Sequence, residues 1–251
     1  MKFLLNVIAL MAFLLPAQLN GDNYEDYFAQ GVEEYYNGNY ENALEQFKSI
    51  EDSGFVNWEL YYNLGNCYYQ LGQKGMAVAY FHKARILAPR NEDIKGNLTF
   101  VKRTLLDKPD DSLKNQIWEF ARNSSLYFRA DELTWFIFIL YVGLVFVLIY
   151  MIFFKRFRTA VFITGFSLIF LIVISGLMLG INLKLNYHTP RGVIVEREVN
   201  ILSGPGATSN VRATAHEGLT FTILRQESGF YEGIFANKLK GWVDISRAYK
   251  F

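Results

Sequence analysis

Cysteine, histidine and net charge are all scarce in this sequence, and each scarcity argues against a class of function. The chain of 251 residues has one cysteine, Cys67, so no internal disulfide framework can form. Its three histidines, His82, His188 and His216, lie in different segments, and none stands in a catalytic or metal-binding signature. The formal net charge of +1 provides no basic surface for nucleic acid. We therefore expect a protein that is not an enzyme and that has no cofactor, no metal and no nucleic-acid partner.

Hydrophobic residues are abundant instead, at 51% of the chain, and the first of three apolar runs predicts export. Phe3–Leu15 follows a lysine and precedes a polar stretch, and its 13 residues are too few to cross a bilayer comfortably. Residues 1–21 are therefore predicted to be a secretory signal peptide, cleaved after Ala17 or Gly21. An uncleaved anchor is the alternative, and both interpretations export the rest of the chain.

The other two runs predict a transmembrane hairpin over residues 132–182. Leu133–Phe154 and Thr159–Ile181 contain no charged residue, and each is long enough as a helix to cross a hydrocarbon core of about 30 Å. The basic link Lys155–Arg158 between them predicts a cytoplasmic turn. Both soluble parts would then face the opposite side, the periplasm of a bacterial inner membrane. Because neither run has an ionisable residue inside it, we expect anchors and not a transport pathway.

Residues 109–131, before the first apolar run, are predicted to form an amphipathic or linker helix. Leu113, Ile117, Phe120 and Ala121 fall on one helical face, with Trp118 beside them. That pattern is typical of a helix on a membrane surface, and equally of one that packs on a neighbouring domain. The sequence leaves both interpretations open.

An offset of 34 residues relates two parts of the segment 22–108. Gly31, Ala43 and Phe47 recur as Gly65, Ala77 and Phe81, and two further pairs share the offset. Residues 58–91 resemble a tetratricopeptide repeat, with small residues where helices approach and Pro89 ending the second helix. An all-α repeat domain is therefore expected, closed by a capped helix over 91–106. Cys67 would then be a core residue of a repeat helix.

The resemblance to this repeat family implies a concave partner-binding surface, formed mainly by the first helix of each unit. Asn63 and Asn97 match the position that often binds a ligand backbone in peptide-clasping members. Asn66 stands where other members carry a basic residue that clamps a carboxyl terminus, so that ligand class is not expected. Carried over by repeat position, the candidate partner-binding residues are Phe28, Val32, Tyr35, Tyr62, Asn63, Asn66, Tyr69 and Asn97.

Residues 188–251 predict a small all-β barrel, because short apolar runs alternate with glycine-containing turns. The segments "VNILSGPG", "HEGLTFTIL", "SGFYEGIF" and "KGWVDI" resemble the bacterial SH3 (SH3b) domain. Leu202 and Phe230 replace an arginine and a tryptophan that are common in that family. Phe230, Tyr231 and Trp242 are candidate groove residues, although core packing accounts equally well for Trp242.

The order of these parts, from exported repeats to membrane hairpin to SH3-like domain, resembles the E component family of the Bat (Bacteroides aerotolerance) system. That resemblance implies von Willebrand factor A-type membrane proteins and a MoxR-type ATPase system as partners. It also implies a scaffold role in aerotolerance, oxidative stress or envelope maintenance. A peptidoglycan-binding tether or sensor that uses residues 188–251 is the competing interpretation.

Overall fold

The computed structural model of the chain describes residues 21–108, 116–153 and 158–251. The predicted signal peptide, apart from Gly21, and Lys155, Arg156 and Phe157 of the predicted basic turn lie outside the described residues, as does Leu113. The described part consists of a helical stack, a pair of long apolar helices and one β-sheet.

The helical stack contains five helices, each of which packs on the next along the chain. They are α1 (Gly21–Tyr36), α2 (Tyr40–Asp52), α3 (Trp58–Gln70), α4 (Lys74–Leu87) and α5 (Glu92–Arg103). Asn57 and Asn91, 34 residues apart, begin α3 and α5 in the same way: each side-chain oxygen accepts a backbone N–H three residues later, at 2.7 and 3.0 Å. The predicted helical repeat region is confirmed.

The 34-residue offset of the sequence is a repeated packing contact in the structure. A Cβ placed on Gly31 would lie 2.7 Å from the ring of Phe47, and one on Gly65 would lie 2.8 Å from the ring of Phe81. Both phenylalanines are almost fully buried. Each glycine therefore allows the second helix of its unit to approach closely enough for one aromatic ring to fill the space between the helices.

The turn inside each unit is repeated as well. Gly38 and Gly72 adopt φ angles of +81° and +77°, a left-handed conformation that glycine adopts without a Cβ penalty. The N–H of Gly38 donates to the carbonyl of Tyr35 at 3.1 Å, and that of Gly72 to Tyr69 at 3.0 Å. The same backbone geometry thus reverses the chain twice.

Two helices, α7 (Ala130–Phe153) and α8 (Arg158–Leu183), pack against each other and are long and apolar enough to cross a membrane. Their large side chains are mostly exposed, with Trp135 at 65% and Phe166 at 74%. A shorter helix, α6 (Gln116–Tyr127), precedes them and contacts α8. The prediction of two apolar helices that could span a bilayer is confirmed, whereas their orientation stays a prediction.

Specific polar contacts tie the apolar helices to the parts before them. Both terminal guanidinium nitrogens of Arg90, in the loop between α4 and α5, donate to the carboxylate of Glu132 near the start of α7. The amide of Asn182, near the end of α8, donates to the carbonyls of Ser125 and Phe128 at 2.7 and 2.9 Å. The apolar helices therefore leave the soluble part at a defined place.

The C-terminal part is one antiparallel sheet of seven strands in the order β3-β2-β6-β5-β4-β1-β7. The strands are β1 (Arg191–Ile194), β2 (Glu198–Leu202), β3 (Val211–His216), β4 (Thr220–Glu227), β5 (Phe230–Phe235), β6 (Lys240–Asp244) and β7 (Ala248–Lys250). The four quoted segments overlap β2, β4, β5 and β6, so the expected β-structure is present, and all strand pairs are antiparallel. Within 191–251, β3 and β7 do not pair, so the sheet is not closed and the predicted SH3-like barrel is not confirmed.

The sheet docks on the outer face of α4. A Cβ on Gly75 would meet the backbone oxygen of Ile194 at 2.3 Å, and the N–H of Gly75 donates to Glu217 at 2.9 Å. His216 is likewise held by Asp107, which accepts its backbone N–H at 2.6 Å. The contact is tight enough that the sheet and the second repeat form one packed unit.

A partly buried charge network strengthens this junction. The ammonium of Lys83 lies 3.0 Å from Glu51 and donates to the hydroxyl of Tyr249 at 2.9 Å. Burial alone would raise the pKa of Glu51, but hydrogen bonds from Lys48, Tyr80 and Lys83 outweigh it and lower that pKa. Because the network joins α2, α4 and β7, losing one partner would leave another partly buried charge with less compensation.

Cys67 lies in the core of the stack, as predicted, and has no exposed surface. Burial raises the pKa of its thiol to about 12, so almost no reactive thiolate is present near neutral pH. The side chain behaves as a small apolar core group.

We predict that Gly75→Ala loosens the junction, because the added methyl group meets a backbone carbonyl that has to shift. The cost should be about 1–3 kcal/mol, the usual range for an overpacked core. Hydrogen exchange of the full chain should become faster in β1 and in α4. The matched control is Gly96→Ala in α5, where an added Cβ meets nothing within 4 Å; it should instead stabilise that helix by about 0.5–1 kcal/mol. Unchanged exchange in β1 of Gly75→Ala would contradict the docking.

We predict that Cys67→Ala lowers the free energy of unfolding by roughly 1–2 kcal/mol through the small cavity it leaves, without affecting partner binding. The native thiol should react slowly with a maleimide at neutral pH and quickly once the chain is unfolded. Rapid labelling of the folded protein would show that Cys67 is accessible and reactive.

Candidate functional site

The first helices of the repeat units, α1, α3 and α5, line a concave surface with two adjoining depressions. The larger has a volume of about 510 Å³ and the smaller about 210 Å³. Tyr35, Asn66 and Asn97 border both depressions. Phe28, Val32, Tyr62 and Asn63 line the larger one, and Tyr69 the smaller. The structure thus brings together all eight residues that repeat position selects; their binding role stays a prediction.

Asn63 and Asn97 occupy equivalent repeat positions but differ in their partners. The amide nitrogen of Asn97 donates to the hydroxyl of Tyr62 at 3.1 Å and to the side-chain oxygen of Asn66 at 2.9 Å. The side chain of Asn63 lines the larger depression and has no hydrogen-bond partner among the described residues. Asn97 therefore orders the surface, whereas Asn63 presents an amide that a ligand backbone could satisfy.

The aromatic residues of the surface are held by contacts with their neighbours. The hydroxyl of Tyr35 accepts a hydrogen bond from Gln70 at 3.3 Å, and burial raises the pKa of this hydroxyl. Tyr62 packs 5.9 Å from the ring of Phe81, and Tyr69 packs edge-on at 5.6 Å from Phe100. Rings fixed in this way provide contact area at little entropic cost when a partner binds.

Repeat-position reasoning missed two acidic residues of the surface. Glu59 and Asp93 both line the larger depression, and they are related by the same 34-residue offset as Asn63 and Asn97. The offset could have identified them. No lysine or arginine lines either depression in the part of the chain that the structure describes. The surface therefore combines aromatic rings and amides with negative charge.

The three candidates in the sheet lie apart from the concave surface. Tyr231 and Trp242 are 7% and 4% exposed, and the guanidinium of Arg225 lies over the Trp242 ring at 4.8 Å. Phe230 is half-buried and borders a separate depression of about 170 Å³ next to Leu202. Only Phe230 offers substantial side-chain surface, and a partner-binding role for the three stays a prediction.

Comparison with known proteins agrees with the repeat geometry. Residues 58–91, which comprise α3, α4 and the turn after them, match the family model described as Tetratricopeptide repeat. No curated protein matches the chain. The matched segment contains the Gly65–Phe81 contact and contributes Tyr62, Asn63 and Asn66 to the concave surface. The middle of the helical stack is thus a tetratricopeptide repeat, which suggests binding to other proteins.

Proposed function

We propose that this protein is a membrane-anchored scaffold, without catalytic activity of its own, that binds a segment of a partner protein on the concave surface of its repeats. The observation that carries the proposal is the convergence of the eight predicted side chains on two adjoining depressions, where the side chain of Asn63 makes no hydrogen bond to any described residue. Amides that bind backbone, beside rigid aromatic rings, suit an extended or helical peptide segment.

The lining predicts the chemistry of that segment. Glu59 and Asp93 favour a lysine or arginine on the partner, and the aromatic rings favour apolar side chains beside it. A partner's carboxyl terminus is disfavoured, because no cation lines the described surface to neutralise it. The proposed ligand is therefore an internal, basic and apolar segment.

The proposed cellular setting is supported by the two apolar helices and by the resemblance of the whole chain to the E component family of the Bat system. In this setting α7 and α8 anchor the protein in a bacterial inner membrane, and both soluble parts face the periplasm. The partners would include von Willebrand factor A-type membrane proteins served by a MoxR-type ATPase. The scaffold would act in aerotolerance, oxidative-stress tolerance or envelope maintenance.

An alternative, peptidoglycan binding by an SH3b-type domain at 188–251, rests on the depression beside Phe230. Asp244 and Arg247 also line it and could bind polar wall components. Pull-down with purified sacculi tests it: retention that Phe230→Ala abolishes would support wall binding, and no retention would exclude it.

We predict that Asn63→Ala weakens partner capture by about 1–3 kcal/mol while leaving the thermal unfolding of the protein nearly unchanged. The reason is that Asn63 makes no hydrogen bond within the described chain, so its removal affects only a bound ligand. Quantitative mass spectrometry of proteins crosslinked and copurified from native membranes measures the loss. Asn37→Ala, an exposed asparagine outside the concave surface, is the control.

A second variant addresses the charge of the surface. Glu59→Gln with Asp93→Asn should reduce capture of the same partners and make the remaining capture less sensitive to salt. Equal copurification of every partner by Asn63→Ala, this double variant and the wild type would show that binding occurs elsewhere.

We predict that alkaline phosphatase fused after Phe251 is active, because the proposed orientation exports the C-terminal sheet. A reporter that requires the cytoplasm should be inactive at the same position and active when inserted within 155–158. The reverse pattern would contradict the proposed topology.

A further inference from the structure

A cavity of about 320 Å³ lies where the repeats meet the ends of the apolar helices. The end of α4, the start of α5, helix α6 and the helical turn after α8 border it, and that turn contributes Asn186. Three cations, Arg85, Lys95 and Arg122, line it together with the amide of Asn123, and Lys95 is also paired with Glu92 at 2.8 Å. No carboxylate lines it among the side chains that the structure describes. The cavity is thus a positively charged site formed by distant parts of the sequence.

Two further cations, Lys102 and Arg191, lie close enough to repel this cluster. Burial, followed by repulsion from Arg85, Arg191 and Arg122, lowers the pKa of Lys102 to about 8. Burial and the charges of Arg191 and Arg122 lower the pKa of Arg85 to about 10. Like charges held together in a half-buried site oppose one another, and a bound anion would offset that repulsion.

The donors in the cavity fit a phosphate group. Arginine side chains present planar forks of N–H donors that match two oxygens of a phosphate. Arg85 also contacts the ring nitrogen Nδ1 of His82 at 3.3 Å, and burial keeps the pKa of that histidine well below its usual value. His82 is therefore a neutral acceptor that positions the guanidinium without cancelling its charge. The volume is at the lower end of the range of about 300–1,000 Å³ for small-molecule sites.

The position of the cavity indicates the source of that phosphate. Exposed aromatic residues surround the same end of the apolar helices, with Tyr127 at 51%, Trp135 at 65% and Tyr187 at 59%. Such rings mark the headgroup level of a bilayer. Ile117 and Phe120 of α6 are also exposed, as expected for a helix on a membrane surface. In a bilayer crossed by α7 and α8, these cations would lie at the depth of phospholipid headgroups.

We propose that this cavity binds the headgroup phosphate of an anionic phospholipid, held by Arg85 and Arg122 with Asn123 and Asn186 as further donors. A lipid bound here would bridge α4, α6 and the turn after α8, fixing the repeats relative to the membrane. The proposal rests on the membrane anchoring proposed above, but it does not depend on partner binding by the concave surface.

Thermal unfolding of the full-length protein in neutral detergent tests the proposal, with native mass spectrometry to count bound lipid. Three additions are compared: phosphatidylglycerol, phosphatidylcholine, and inorganic phosphate at matched ionic strength. Phosphatidylglycerol should raise the melting temperature and remain bound at one molecule per chain, whereas the other two should do neither. If inorganic phosphate raises the melting temperature equally and no lipid remains bound, the bound phosphate does not come from a lipid, and that part of the proposal is overturned. If neither anion binds, the site itself is overturned.

Substitutions of the cavity's cations test whether phosphatidylglycerol binds in this cavity. Arg85→Gln with Arg122→Gln should require about tenfold more phosphatidylglycerol for the same stabilisation, because two charged hydrogen-bond donors are lost. Arg212→Gln, a charge change on the exposed β3 strand, should bind like the wild type. If the double variant does not fold, Lys95→Gln at the partly exposed mouth should weaken binding about two- to fivefold. Wild-type binding by the folded double variant, or by Lys95→Gln where the double variant does not fold, would overturn the assignment.

Discussion

Helix α4 is packed on both sides, and the rest of the fold depends on that constraint. On one side Ala77 and Phe81 meet α3, where Gly65 leaves room for the aromatic ring. On the other side Gly75 meets the backbone of β1, and Lys83 meets Tyr249 of β7. A helix covered on two faces has to be apolar or small over most of its circumference. Its run of buried residues from Ala77 to His82 meets this requirement.

The docking of the sheet decides which surface remains available to other molecules. Because the sheet covers the outer side of α4, the face formed by α1, α3 and α5 remains open. The contacts of Arg90 with Glu132 and of Asn182 with Ser125 fix the repeats at one end of the apolar helices. In the proposed function, binding on the concave surface and attachment to the membrane would therefore occur on different sides of one packed unit. That separation would suit a scaffold.

The sequence predicts the repeats well, because each unit is a local structure and its contacts recur at a fixed offset. The pairing of Gly65 with Phe81 is visible as a pattern in the amino-acid sequence alone, and so are the concave positions of Asn63 and Asn97. The two apolar helices follow from length and composition in the same way. The offset that relates Glu59 to Asp93 is equally visible, although the family resemblance selects only apolar, aromatic and amide positions.

What the sequence does not predict depends on contacts between distant segments. Gly75 and Ile194 are separated by more than a hundred residues, and no local pattern pairs them. The same is true of Arg85 and Arg191, which come together only when the sheet docks. The strand order of the sheet is not visible locally for a related reason, because β1 pairs with β4 and with β7, both of which are distant from it in the sequence. Tertiary packing, and not local propensity, determines these features.

In the proposed arrangement, partners bind the concave face while the sheet covers the back of the repeats. Site-specific photo-crosslinking in native membranes tests it most directly, with a photoreactive phenylalanine at Tyr36 or Phe100, both exposed on the concave side. A third position, the exposed Ile234 on the sheet, serves as the comparison. We expect Tyr36 and Phe100 to crosslink to the same partner protein and Ile234 not to do so. Crosslinks to that partner from Ile234 alone would contradict this arrangement.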